Sequence, residues 1–320
     1  MAKLEDFTIT SLLPVATGRV VLPENVSRAE YDTRFGSLDS QRERDIYRMT
    51  TACQAAIENL HYDRNWPGFE GASYGFIPVG ENTVIPNGIA SSNGYVFGAA
   101  IKILPRGEAA QFVEIVEYGN LQFAVVFNAM RSILHVANPT YPTGTGACWA
   151  KSLRSAIKPA SDGVLTAAHN VKGVHLTGSV SMSDPGSWYL GDRGTCKIDA
   201  ALVVKAGCIP GSASRLTVRD YPLATQSFTF TGVGSGGTIT GKIQHSVPNP
   251  TSFNEAHPLR LYLDTFGVHG DSGALVTDSS SGEGLGIYIG SLANPGSGVV
   301  SGIAQLLSQA EHALNIECYL

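Results

Sequence analysis

Gly270-Asp271-Ser272-Gly273-Ala274-Leu275-Val276 sets one serine between glycines and then runs into an apolar stretch of strand character. Glycine on both sides allows a tight turn that exposes the hydroxyl. In such a turn the backbone N–H groups of Gly270 and Ser272 can point together and form a nest for an anion. A plain β-turn has the same composition, so the heptapeptide needs partners elsewhere in the chain. A serine hydroxyl is a poor nucleophile at neutral pH until a base takes its proton and a third group orients that base. Acyl transfer also needs N–H donors for the oxyanion that forms.

Two upstream segments supply the missing parts. In Gly163-Val164-Leu165-Thr166-Ala167-Ala168-His169-Asn170 an apolar strand runs through two alanines into a histidine. The small side chains let backbones crowd, which can hold the imidazole in a cleft. In Ile198-Asp199-Ala200-Ala201-Leu202-Val203-Val204 a carboxylate stands inside an apolar run. Burying it unpaired is costly, and an imidazole N–H is a suitable partner. Alone, His169 reads as a structural residue after a strand and Asp199 as a turn residue at a strand end. Together, T-A-A-H, I-D-A-A-L and G-D-S-G follow one another at about 30 and about 70 residues. That set closely resembles the motifs of chymotrypsin-like (trypsin-fold) serine proteases. The order His, Asp, Ser is also that family's order, unlike that of subtilisins and α/β-hydrolases.

Further segments agree with the resemblance. Thr143-Gly144-Thr145-Gly146-Ala147-Cys148-Trp149 resembles the glycine-containing strand that opens the family's first barrel. Phe230-Thr231-Gly232-Val233-Gly234 resembles the Gly-x-Gly strand of the second. A phosphate cradle is the rival reading of the glycine-rich stretch from Gly232 to Gly241, but no Lys-Ser/Thr and no helix follows it. Gly286-Ile287-Tyr288-Ile289-Gly290 resembles the strand that binds substrate backbone and walls the specificity pocket. The resemblance covers about residues 130–320. It implies a mainly β fold of two antiparallel six-stranded β-barrels with the site between them. A C-terminal helix is expected from Ile303, Leu306, Leu307, Ala310 and Leu314. Ser272 would be the nucleophile, His169 the base and Asp199 its orienting partner, with Gly270 and Ser272 N–H groups as the oxyanion hole. Phe266, Tyr288, Ile289 and Gly290 would meet a protein or peptide substrate. No metal or cofactor is implied.

The chain departs from the family at several points. Asn170 stands where animal members often carry a loop-closing cysteine, which leaves Cys148 without an obvious partner. Asp271 stands where zymogen-type members pair an aspartate with a freshly cut N-terminus. Either the chain is cut near residue 130, or another cation or hydrogen-bond donor holds Asp271. Phe266, six positions before Ser272, replaces the acid that cleavage after Lys or Arg would need, so an apolar or small pocket is expected. His269 is read as a loop histidine that can also meet an acidic group.

The remainder bounds the function. With 320 residues, two domains are expected: an α+β unit over 1–130 and the protease-like unit over 131–320. In the first, Asp39-Ser40 caps a helix whose stripe is Ile46, Met49, Cys53, Ile57 and Leu60. Strands are expected at 94–97, 112–116 and 121–127, the last two joined as a hairpin by Gly119-Asn120. This unit carries no catalytic motif and is expected to bind a regulator or partner. The 36 glycines fit a β-rich chain. A net charge of −5 with no basic run excludes a protein built to hold nucleic acid. The five cysteines, Cys53, Cys148, Cys196, Cys208 and Cys318, form no C-x-x-C pair and no disulfide framework, although a Cys196–Cys208 bridge stays open. No secretory signal begins the chain and no stretch is long and apolar enough for a membrane span, so a cytoplasmic location and no membrane partner are expected. A catalytically silent, protease-like scaffold is the alternative to an active enzyme.

Overall fold

A computed structural model describes residues 4, 11–14, 19–24, 26–60, 69–103, 111–128, 131–134, 143–153, 161–170, 175–178, 189–190, 198–249, 258–293 and 300–320. The first elements are two capped helices, α1 (Arg28–Ser37) and α2 (Gln41–Asn59). In each, a serine before the helix accepts from the backbone of a glutamate three residues on, whose side chain answers back. The Ser40 cap and the stripe of Ile46, Met49, Cys53 and Ile57 match the sequence expectation, and all four stripe residues are buried. Leu60 falls on the C-cap and is 46% exposed, so the stripe ends a turn early.

The strands β1 (Phe69–Pro78), β2 (Ser91–Ser92), β3 (Tyr95–Ile103), β4 (Phe112–Tyr118) and β5 (Leu121–Asn128) come next. The expected hairpin is β4–β5, closed at Tyr118↔Leu121 with Gly119 at φ +58°. Then follow β6 (Arg131–Leu134), β7 (Thr143–Gly146), β8 (Cys148–Ser152), β9 (Ser161–Thr166), β10 (His175–Gly178), β11 (Tyr189–Leu190) and β12 (Ala201–Val204). The last part holds β13 (Ser227–Gly232), β14 (Gly237–Ser246), β15 (Arg260–Leu263), β16 (Leu275–Asp278), β17 (Gly284–Ala293) and β18 (Val300–Leu306). Helix α3 (Leu307–Leu314) and β19 (Ile316–Tyr319) end the chain. The expected C-terminal helix is α3, with Ile303 and Leu306 on the strand that leads into it.

The fold is mainly β. Strands β13-β16-β17-β18-β15-β14 pair in that order, and β13 pairs with β14 to close a six-stranded antiparallel barrel. Phe228, Phe230, Ile243, Leu263, Val276 and Tyr288 fill it. Among the described residues, β11-β12-β9-β8-β19 form a second antiparallel sheet, and β7 pairs with β10. One apolar cluster joins that sheet to the barrel: Cys148, Leu165 and Leu202 pack with Leu275, Ile287, Ile289 and Leu307. Cys196 lies outside the described residues, and with it the Cys196–Cys208 pairing.

The strands before residue 130 do not form a separate sheet. β1 pairs with β14 at Tyr74↔Ser246 and Gly75↔His245, so β1-β3-β5-β4 extend the barrel's own sheet. Gly75 permits this approach, since a Cβ there would stand 2.6 Å from the Gln244 carbonyl. Asn249, just beyond β14, fastens the helices to the same edge. Its side-chain oxygen accepts from Tyr47 at 2.7 Å and Arg34 at 2.9 Å, its amide donates to Thr51 at 2.8 Å, and Gln54 bonds its backbone. Asn249→Ala leaves buried Tyr47 and Thr51 hydroxyls short of a partner. It is expected to lower unfolding stability by about 2–3 kcal/mol in a urea titration.

At the same junction His245 is buried, bonded through Nδ1 to Ser73 Oγ at 2.6 Å and stacked on Tyr262. Burial holds its pKa down at about 3. Below the ordinary histidine range the unfolded chain takes a proton that the folded chain refuses, so stability falls as pH falls. Between about pH 6 and pH 4 the unfolding free energy should drop about 1.4 kcal/mol per pH unit more steeply in the wild type than in His245→Gln.

Candidate active site

Three turns meet where the second sheet faces the barrel. His169 lies in the 3-10 turn Ala168–Asn170 that follows β9. Asp199 lies just ahead of β12, and the pairing Ala201↔Thr166 brings the two strand ends together. Ser272 lies in the turn that enters β16. His169 Nδ1 is 2.6 Å from Asp199 Oδ2, and the His169 backbone N–H donates to Asp199 Oδ1 at 3.1 Å. Ser272 Oγ is 2.6 Å from His169 Nε2. The three residues singled out from the sequence therefore form one hydrogen-bonded chain.

Burial pushes the Asp199 carboxyl up, but the His169 hydrogen bonds and charge, with the nearby Arg260 charge, outweigh it and leave the group below its ordinary value. An ionised carboxylate only accepts, so Nδ1 carries the imidazole proton and Nε2 is left to accept from the Ser272 hydroxyl.

Residues without an expected role hold the turns together. The Thr145 N–H donates to the Ser272 carbonyl at 3.0 Å, and the Asn170 amide donates to the same oxygen at 2.6 Å. Thr145 Oγ1 donates to the Gly270 carbonyl at 2.7 Å, and Thr166 Oγ1 donates to the Thr145 carbonyl at 2.8 Å. Asn170, noticed in the sequence only as a missing cysteine, is thus the cross-link from the histidine turn to the serine turn. Thr166 opens the T-A-A-H motif and Thr145 lies in the segment 143–149, but neither had an expected role, because nothing local distinguishes them from other strand threonines.

The serine turn rests on Asp271, which is fully buried. Its Oδ1 accepts from the Ser235 N–H and its Oδ2 from the Val268 N–H, both at 2.8 Å. Of the two possibilities raised by the sequence, hydrogen-bond donors hold Asp271 in the uncut chain. Gly232 and Gly267 make the room, since a Cβ on either would collide with the Asp271 carboxyl oxygens. A Cβ on Gly234 would collide with the His269 carbonyl oxygen. The trans peptide sets the Gly270 N–H opposite that carbonyl, directed away from Gly234. Gly270 and Gly273 have φ of +98° and +96°, which the turn requires. The N–H groups of Asp271, Gly273 and Ala274 donate to Val268, Tyr288 and Asp271 carbonyls. Among the described residues, those of Gly270 and Ser272 have no protein acceptor.

The remaining sequence candidates sit differently from one another. Ile289 is buried, with its carbonyl 3.4 Å from Ser272 Oγ. Gly290 follows on the same strand and pairs with Ile303 and Leu134. The Tyr288 ring is fully buried against Phe230, its hydroxyl accepts from the Gly267 N–H at 2.8 Å, and its backbone bonds Gly273 and Ala274. Tyr288 thus anchors the serine turn to the barrel core. Phe266 is 39% exposed, and His269 is exposed on the turn. Among the described residues no group of three His, Cys, Asp or Glu side chains could hold a metal, and no helix is long and apolar enough to cross a membrane.

No family model and no curated protein matches the chain. Solved structures to which it is similar include the protease NAPase of Nocardiopsis, at 17% identity over 55% of this chain and 98% of that one, with a TM-score of 0.36. A glutamic acid specific serine protease is 16% identical over 55% of this chain and 100% of its own, with a TM-score of 0.34. Protease A of Thermobifida fusca is 14% identical over 55% and 98%, with a TM-score of 0.33. Likeness at this level assigns no residue and no activity to this chain.

Gly232→Ala drives a methyl group into the Asp271 carboxyl and is expected to cost about 1–3 kcal/mol of stability. Gly237 has open space around it. Gly237→Ala should therefore stay within about 0.5 kcal/mol of wild type in the same denaturation experiment.

Proposed function

We propose that the chain is a serine endopeptidase that cleaves peptide bonds through an acyl-enzyme. The unbroken relay from Ser272 Oγ through His169 to Asp199, with a 2.6 Å contact at each step, carries this reading. Oγ attacks the peptide carbonyl carbon while its proton passes to Nε2. Asp199 keeps the imidazole in the required tautomer and stabilises the imidazolium. The N–H groups of Gly270 and Ser272, without an acceptor among the described residues, are the donors available to the developing oxyanion. Collapse breaks the C–N bond, and the leaving amine takes the proton from Nε2. A water molecule then gives its proton to Nε2 and attacks the acyl-serine, which releases the acid and restores the hydroxyl.

A peptide suits the site better than a small ester because the main chain of β17 continues from Ile289, next to Ser272 Oγ, as an extended strand. The absence of an acid at Phe266 favours an apolar or small residue before the cleaved bond. A scaffold has no need of all three relay residues, which weighs against a silent protein.

Ser272→Ala should reduce hydrolysis of casein or a peptide library to background, a loss of up to about 10⁶-fold in kcat. It should also abolish fluorophosphonate labelling. Asp199→Asn presents the wrong tautomer and should cost about 10⁴-fold in kcat. Equal turnover by wild type and Ser272→Ala, or a wild type that never labels, would overturn the reading.

A further inference from the structure

The two edges of β17 are occupied differently along its length. One edge carries β18 throughout, from Gly286↔Leu306 to Ala293↔Val300. The other carries β16 only between Gly284 and Ile287. Beyond it the serine turn takes over, with the Gly273 N–H on the Tyr288 carbonyl and then Ser272 Oγ 3.4 Å from the Ile289 carbonyl. From Gly290 onward this same edge carries β6, antiparallel, in the register Gly290↔Leu134, Ser291↔Ile133, Leu292↔Ser132 and Ala293↔Arg131. β6 therefore lies in line with the candidate nucleophile, and it runs from Ala293 towards it.

An extended peptide delivered to Ser272 along this edge would use the same main-chain groups of Gly290–Ala293 and run in the same direction. Two strands cannot occupy one edge, because each N–H and C=O there pairs with one neighbour at a time. Among the described residues β6 makes no other strand pairing. Resting on the peptidase reading above, we propose that Arg131–Leu134 is the resident occupant of the peptide-docking edge of β17. The uncut chain thereby competes with its own substrate. The uncut chain leaves Asp271 held and the relay formed, so what this segment withholds is the docking edge and not the chemistry.

A tethered strand acts at an effective concentration in the millimolar range, so a free peptide of similar intrinsic affinity present at a lower concentration is largely excluded. The apparent KM rises by the reciprocal of the fraction of open edge. Ser132→Pro combined with Ile133→Pro removes two successive N–H groups, one of which faces β17. In the full-length protein this double variant should lower KM for a quenched fluorogenic peptide roughly tenfold or more. Its kcat should change by less than about twofold, and the small fluorophosphonate should label both proteins at equal rates. Equal labelling with an unchanged KM would overturn the inference and leave the peptidase reading standing. Failure of both folded proteins to label would overturn that reading, and the inference with it. A measurement on the wild type guards against a variant that does not fold. Amide exchange of Ser132–Leu134 should accelerate at least about tenfold once a peptidyl phosphonate is attached to Ser272, and unchanged protection in the labelled protein would overturn the inference.

Discussion

A buried acid that must find hydrogen-bond donors organises this molecule. The Asp271 carboxyl is sealed from water, and leaving it unpaired would cost several kcal/mol. Its two oxygens take the N–H groups of Ser235 and Val268, which tie the serine turn to the loop after β13 and to its own preceding segment. That requirement explains the glycines around it. Gly232 and Gly267 leave room for the carboxyl, and Gly234 leaves room for the His269 carbonyl that sets the Gly270 peptide. The turn that holds Ser272 is thus determined by contacts of the residue before it. Backbone donors of the chain itself perform this task in the structure.

A second layer of constraint places the base. Thr145 and Asn170 both donate to the Ser272 carbonyl, and Thr166 holds Thr145. The two bonds to Ser272 reach the barrel from β7 and from the turn after β9, over an apolar seam that includes Leu165, Leu275 and Ile289. The seam supplies the force that holds the two units together, and the polar bonds set their register. The strands and helices before residue 130 belong to the same construction. β1 continues the barrel's sheet at β14, and Asn249 joins α1 and α2 to that edge. The chain between them returns as β6 to the strand that carries Ile289.

Much of this was legible in the chain itself, because local chemistry is enough to announce it. The capping box at Ser40, the apolar stripe of α2 and the Gly119-Asn120 hairpin are short-range patterns, and each appears where expected. Leu60 fell off its stripe because the helix ended first. The Tyr288 ring belongs to the barrel core, and alternation along a strand does not say which face of β17 it takes.

The residue types and order of His169, Asp199 and Ser272 were determined by the sequence alone. The reason is chemical: only a few side chains can pass a proton from a hydroxyl, and glycine is needed wherever a turn crowds. What only the tertiary structure decided is how those groups are held and what covers them. Asn170 became a clamp, Asp271 found its donors, and residues 131–134 settled on β17 through pairings between distant segments. Such pairings depend on register across the sheet, and no local pattern in the chain encodes which edge will be left for which strand.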